Sequence, residues 1–191
     1  MACELTKGRS LDCKTATGGI KFIYLAQLED VALTQSSGQL TDLEFQSGAP
    51  TTLFRYSLPR GTGSFTETIT GSVENGTVFY EPSVNVMLHN FSAADANEIK
   101  LLAQNRLVVF VQLNAKNANG NDVIICCGAE NGMELTTGTA ASGAAFGDMV
   151  GYNLTFSGAE TLPSPIVADY TTSPFDNTAF NGGSGITVDV S

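Results

Sequence analysis

The sequence is poor in the groups that most chemistry needs. It has a single histidine, His89, in 191 residues, and nine lysines and arginines against 19 acids, a formal net charge of −10. Nucleic-acid binding proteins grip phosphates mainly through Lys and Arg, so this balance argues against tight DNA binding. No apolar run reaches the roughly 18–20 residues that cross a bilayer. The start, Met1-Ala2-Cys3-Glu4-Leu5-Thr6-Lys7, lacks the basic-then-apolar order of a secretory leader, which predicts a protein that stays in the cytoplasm unless an assembly carries it out.

Catalytic signatures are missing too. There is no Gly-x-Ser-x-Gly, no phosphate loop and no His-Glu-x-x-His, and the glycines at 18, 19, 61 and 63 mark turns that do not open a helix. His89 has no Ser or Cys partner suggested by the sequence, so it reads as structural. Of the four cysteines, Cys126 and Cys127 are adjacent and would point to opposite faces of a strand; the apolar Val123, Ile124 and Ile125 beside them predict inert, buried thiols. Cys3 and Cys13 could meet, but with one histidine and no Cys-x-x-Cys no metal site is expected. Carboxylates offer no acid–base pair: Glu67 falls on the apolar side of its strand, Glu74 and Glu81 on the polar side. No cofactor and no enzyme activity are expected.

What is present is β-strand pattern. Residues 1–19 read as an N-terminal arm closed by Thr17-Gly18-Gly19, residues 20–157 as one β-rich domain, and residues 158–191, interrupted by Pro163, Pro165, Pro174, Gly182, Gly183 and Gly185, as an extended C-terminal arm with Phe175 and Phe180 as anchors. That arm fits either a disordered tail or a segment that orders on a neighbouring subunit.

The clearest local signal lies at 63–88, two long strand runs joined at Asn75-Gly76, the favoured pair for a two-residue hairpin turn. That turn sets Glu74 opposite Thr77 and Thr70 opposite Glu81. One face then carries Phe65, Ile69, Val73, Val78, Tyr80, Val84, Val86 and Leu88. The other carries Thr66, Thr68, Thr70, Ser72, Glu74, Thr77, Glu81, Ser83 and Asn85, with Phe79 the lone apolar member. Arms of about 12 residues, about 40 Å, exceed the usual strand of about 5–6, so neighbours are expected to complete the pairing.

The period then changes. Ser92 with Asp95 predicts a capped helix over 92–105, with Ala96, Ile99, Leu102 and Ala103 as its apolar stripe. Leu107-Val108-Val109-Phe110-Val111 predicts a buried central strand, and further strands follow at 123–127, 133–136 and within 145–157, with 138–143 as a surface loop.

Several blocks in this order resemble the tail-tube and related structural proteins of bacteriophage virions: Met1-Ala2-Cys3, Thr6-Lys7-Gly8-Arg9, Leu11-Asp12-Cys13-Lys14, Gly18-Gly19-Ile20-Lys21, Ser64-Phe65-Thr66-Glu67-Thr68, the run from Glu74 to Glu81, the run from Asn97 to Arg106, and Glu130-Asn131-Gly132. The likeness covers about residues 1–157 and leaves out the C-terminal arm. It implies a β-sandwich or barrel-like core with one helix, six copies in a ring, an inner β-barrel lining a channel, and rings stacked into a tube that conducts DNA. The polar hairpin face would line that channel and the helix would cover the outside of the sheet. Implied partners are other copies of the chain, other tail or neck proteins, and DNA that passes without tight binding; no membrane is involved, and the protein would reside in the virion after assembly in the host cytoplasm. The same pattern also suits a ring of the neck or a short tail, or a monomeric β-sandwich binding module.

Overall fold

The computed structural model describes residues 7–9 and 17–190, so Cys3, Cys13 and most of the N-terminal arm lie outside the described residues. Strands β1 (Ile20–Gln27), β2 (Val31–Ser36), β3 (Gln39–Phe45), β4 (Thr52–Ser57), β5 (Gly63–Ser72) and β6 (Thr77–His89) precede a helix, α1 (Ala93–Leu102). After it come β7 (Leu107–Lys116), β8 (Asp122–Cys127), β9 (Glu134–Ala141), β10 (Gly151–Ser157), β11 (Ile166–Val167) and β12 (Thr187–Asp189). Among the described residues the fold is mainly β with one α-helix. An eight-stranded sheet runs β12-β4-β1-β7-β8-β11-β3-β2, and a four-stranded sheet runs β5-β6-β10-β9.

Period-two alternation divides the side chains of the large sheet between two cores. Ile23 and Leu25 of β1 and Val109 and Val111 of β7 point towards the small sheet, meeting Val84, Val86, Leu154 and Phe156. The alternate residues Tyr24, Ala26, Val108 and Phe110 point the other way, into a second core with Leu40, Leu43, Leu53, Phe175 and Phe180. A strand buried on both faces has no solvent side to make polar, which is why 107–111 is apolar throughout. One buried polar network crosses the sheet: Tyr24 Oη donates to Gln112 Oε1 at 2.6 Å, and Gln112 Nε2 donates to Asp122 Oδ2 at 2.7 Å. Lys21 and Lys116 pair with the same carboxylate at 2.9 and 2.5 Å.

Residues after Gly158 do not form a separate arm. They close the second core. Strand β11 pairs with β3 and β8, and β12 pairs in parallel with β4. Between them Asp169 accepts hydrogen bonds from the side-chain amides of Asn117, Asn119 and Asn121, and Phe45 N–H donates to Asn181 Oδ1 at 3.3 Å. Prolines and glycines keep this stretch irregular, yet Phe175 and Phe180 are both buried.

The helix is shorter than the predicted 92–105. Ser92 caps it as predicted, its Oγ accepting from Asp95 N–H at 3.0 Å. Of the expected stripe, Ile99 and Leu102 reach the inter-sheet core while Ala96 and Ala103 are exposed, so the helix plugs one end of the sandwich. Leu102→Ala should therefore cost about 2 kcal/mol, near the lower end for Leu truncation because the site lies at a helix end that can settle inward. Urea denaturation checks this; a loss below about 0.5 kcal/mol would remove the helix from the core.

Candidate functional site

The hairpin β5–β6 is antiparallel over its whole length, but its register differs from the expected one by two residues. Ser72 faces Thr77, Thr70 faces Phe79 and Thr68 faces Glu81, so residues 73–76 form a four-residue loop and Glu74 leaves the ladder for the tip. The two-residue type I′ turn favoured by Asn-Gly needs positive φ at both central positions; Gly76 has φ +63° but Asn75 does not take the left-handed form. Ser72 Oγ instead accepts from Asn75 N–H at 3.2 Å within the longer loop. A shift of one residue would have exchanged the faces of the strand, whereas a shift of two preserves them. Thr66, Thr68, Thr70, Ser72, Thr77, Glu81, Ser83 and Asn85 therefore still share one side.

The apolar face of the hairpin is covered only near its base. Val84 and Val86 are buried, whereas Ile69 is 65% exposed, Val78 56% and Val73 fully exposed, so the distal end stands clear of its own domain. Glu67 occupies this face because it has a specific partner there: its Oε1 accepts from Ser164 N–H at 2.9 Å and Ser164 Oγ at 2.6 Å.

Strand pairing extends the polar face beyond the hairpin. Asn85 lies opposite Thr155 and Ser83 opposite Ser157, and β9 continues the row with Thr137 opposite Thr155 and Thr139 opposite Asn153. Asn85 Nδ2 donates to Thr155 Oγ1 at 3.0 Å, Ser157 Oγ to Thr136 Oγ1 at 3.1 Å, and Thr70 Oγ1 to Glu81 Oε2 at 3.1 Å. Phe79 and Met87 are the larger apolar side chains on this surface. The share of β9 was not expected from the sequence, which placed 138–143 in a loop; the final strand, expected from the alternation of Tyr152, Leu154 and Phe156 within 145–157, is β10, and Phe146 before it lies exposed. The Thr-Thr-Gly-Thr run at 136–139, with its β-favouring threonines, was the available signal.

None of the four strands contains a lysine or arginine. Lysine and arginine are absent between Arg60 and Lys100, and none follows Lys116. Glu81 on the face and Glu74 at the tip carry negative charge, and Glu134 sits at the start of β9 with Arg106 Nε 3.8 Å away at the margin. Among the described residues, neither β5 nor β9 has a strand neighbour on its outer side, so the small sheet has two open edges.

His89 is exposed at the end of β6, opposite Gly151, and strand alternation puts it at the margin of the face that carries Asn85 and Met87. Cys126 and Cys127 are buried free thiols, and burial pushes both thiols well above their ordinary range. Among the described residues no group of three or more His, Cys, Asp or Glu side chains is placed to hold a metal ion. A groove of about 780 Å³ lies between α1, β4 and the end of β1, with Phe54, Tyr56, Asp95, Glu98 and Leu101 among its lining. Comparisons of the chain with protein-family models, curated proteins and solved structures return no match.

Proposed function

We propose that the chain is a structural subunit of a bacteriophage virion that assembles with copies of itself into stacked rings of a tail tube. The outer face of the β5-β6-β10-β9 sheet lines the channel. The observation that carries this reading is a surface of hydroxyl and amide groups across four strands that contain no lysine or arginine and end in two open edges. Open edges offer unpaired backbone donors and acceptors, which a neighbouring copy can satisfy by continuing the sheet around a ring. Without lysine or arginine the lining offers phosphates no counter-charge, and its carboxylates repel them. The hairpin's exposed distal end supports the same reading, because a lone two-stranded ribbon is marginally stable and gains cover from an adjacent subunit. The neck or short-tail ring uses the same face with another symmetry.

Lysines placed at Thr68, Glu81 and Ser83 test the lining. Each is a surface change worth within about 0.5 kcal/mol of folding stability, so the triple variant should fold and assemble. Its tubes should retain double-stranded DNA at low salt and release it as salt rises, and phage carrying it should eject DNA poorly. Normal infectivity with normal DNA passage would remove this face from the channel.

A further inference from the structure

The sequence holds four Asn-Gly pairs, at 75–76, 119–120, 131–132 and 181–182, and the fold treats them differently. Asparagine followed by glycine is prone to an intramolecular reaction in which the next backbone nitrogen attacks the side-chain amide carbon. Glycine leaves that approach open because it has no Cβ. The reaction needs a free nucleophile and a mobile side chain.

Three of the pairs are held away from it. At 181–182 the side chain is fixed, Asn181 Oδ1 accepting from Phe45 N–H at 3.3 Å and its Nδ2 donating to Gly185 O at 3.2 Å. Gly120 N–H donates to Asn117 O at 3.1 Å while the Asn119 side-chain amide is bound by the Asp169 carboxylate. Gly132 is buried and its N–H donates to Glu160 Oε1 at 3.2 Å, while Asn131 Nδ2 donates to Ala159 O at 2.8 Å. At the hairpin tip Asn75 and Gly76 are both exposed, and among the described residues nothing bonds the Gly76 N–H or the Asn75 side chain. Only the backbone N–H of Asn75 is tied, to Ser72 Oγ.

We propose that Asn75 is a site of spontaneous deamidation selected by the fold. Gly76 N attacks Asn75 Cγ. The new C–N bond closes a five-membered succinimide as the Cγ–Nδ2 bond breaks, and ammonia leaves with the proton lost from Gly76 N. Water then opens the ring at either carbonyl, giving aspartate or isoaspartate at position 75 with no oxidant or reductant. Either product adds one negative charge next to Glu74. The isoaspartate form also lengthens the backbone of the four-residue loop, so ageing alters both the charge and the shape of the exposed tip. This inference does not rest on the tube reading.

The test incubates the full chain at mildly alkaline pH, folded and in parallel unfolded in urea, and follows each asparagine by peptide mass spectrometry with fragmentation that separates aspartate from isoaspartate. In the folded chain position 75 should convert at least about tenfold faster than 119, 131 or 181, since those sites must first break their hydrogen bonds by local opening. In urea the four rates should converge. Equal rates in the folded chain, or conversion at 119, 131 or 181 ahead of 75, would overturn the proposal. Gly76→Ala should slow position 75 alone; an unchanged rate there would mean direct hydrolysis and overturn the succinimide route.

Discussion

Phe175→Ala should destabilise the folded chain by about 3–5 kcal/mol, the usual range for truncating a buried phenylalanine. Phe175 is 2% exposed and packs edge-on against Tyr24 and Phe110, with ring centroids 5.0 and 5.1 Å away. These partners belong to β1 and β7, adjacent strands of the large sheet, so the ring seals the middle of the second core. Its backbone has φ +68°, a conformation that costs a non-glycine residue about 1 kcal/mol or more and persists only where packing enforces it. Alanine keeps that cost and loses the anchor. Urea denaturation measures the effect, and a loss below about 1 kcal/mol would mean that the segment after Gly158 is not an integral part of the core.

Glu160→Ala should cost about 3 kcal/mol, because it removes the acceptor for three backbone donors at about 1–3 kcal/mol each where water cannot substitute. Glu160 is 4% exposed, and its carboxylate accepts from the N–H groups of Glu130, Asn131 and Gly132 at 3.0, 3.0 and 3.2 Å. Its backbone pairs with Tyr80 in both directions, so one residue ties the β8–β9 loop to the hairpin. Glu160→Gln retains one acceptor oxygen and should lose less. Burial raises the Glu160 carboxyl above its ordinary range despite these donors. For an acid with a raised folded pKa, the folded state holds the proton more tightly than the unfolded one. Its contribution is therefore full below the unfolded pKa and declines as pH rises through the folded pKa. The stability deficit of Glu160→Gln against the natural chain should accordingly shrink as pH rises through that window; a deficit that grows would show that the three donors outweigh burial.

The parts of the fold governed by local pattern were legible in the sequence. Ser92 and Asp95 marked the helix start, 107–111 declared a strand covered on both sides, and alternation sorted the hairpin's faces correctly even though the turn was misread. Asn75-Gly76 misled because dipeptide preference does not settle whether the loop has two residues or four; the Ser72 Oγ bond and the φ of Asn75 decide that. The role of 158–191 was hidden for another reason. Its two strands pair with β3, β4 and β8, far away in sequence, and prolines erase any local period, so only the isolated Phe175 and Phe180 hinted at burial. The candidate lining was legible on β5 and β6 alone; its continuation onto β9 and β10 depends on long-range pairing.

The central claim is self-assembly into a ring with the small sheet inward. Light scattering on the purified chain, with negative-stain images of the same sample, tests it most directly. The account predicts rings or tubes roughly 100 Å across, from six domains of roughly 35 Å around a DNA-wide pore, with rotational averaging giving six-fold symmetry for a tube and another order for a neck ring. A monomer at every concentration, with neither rings nor tubes on the grid, would contradict it and favour a monomeric binding module.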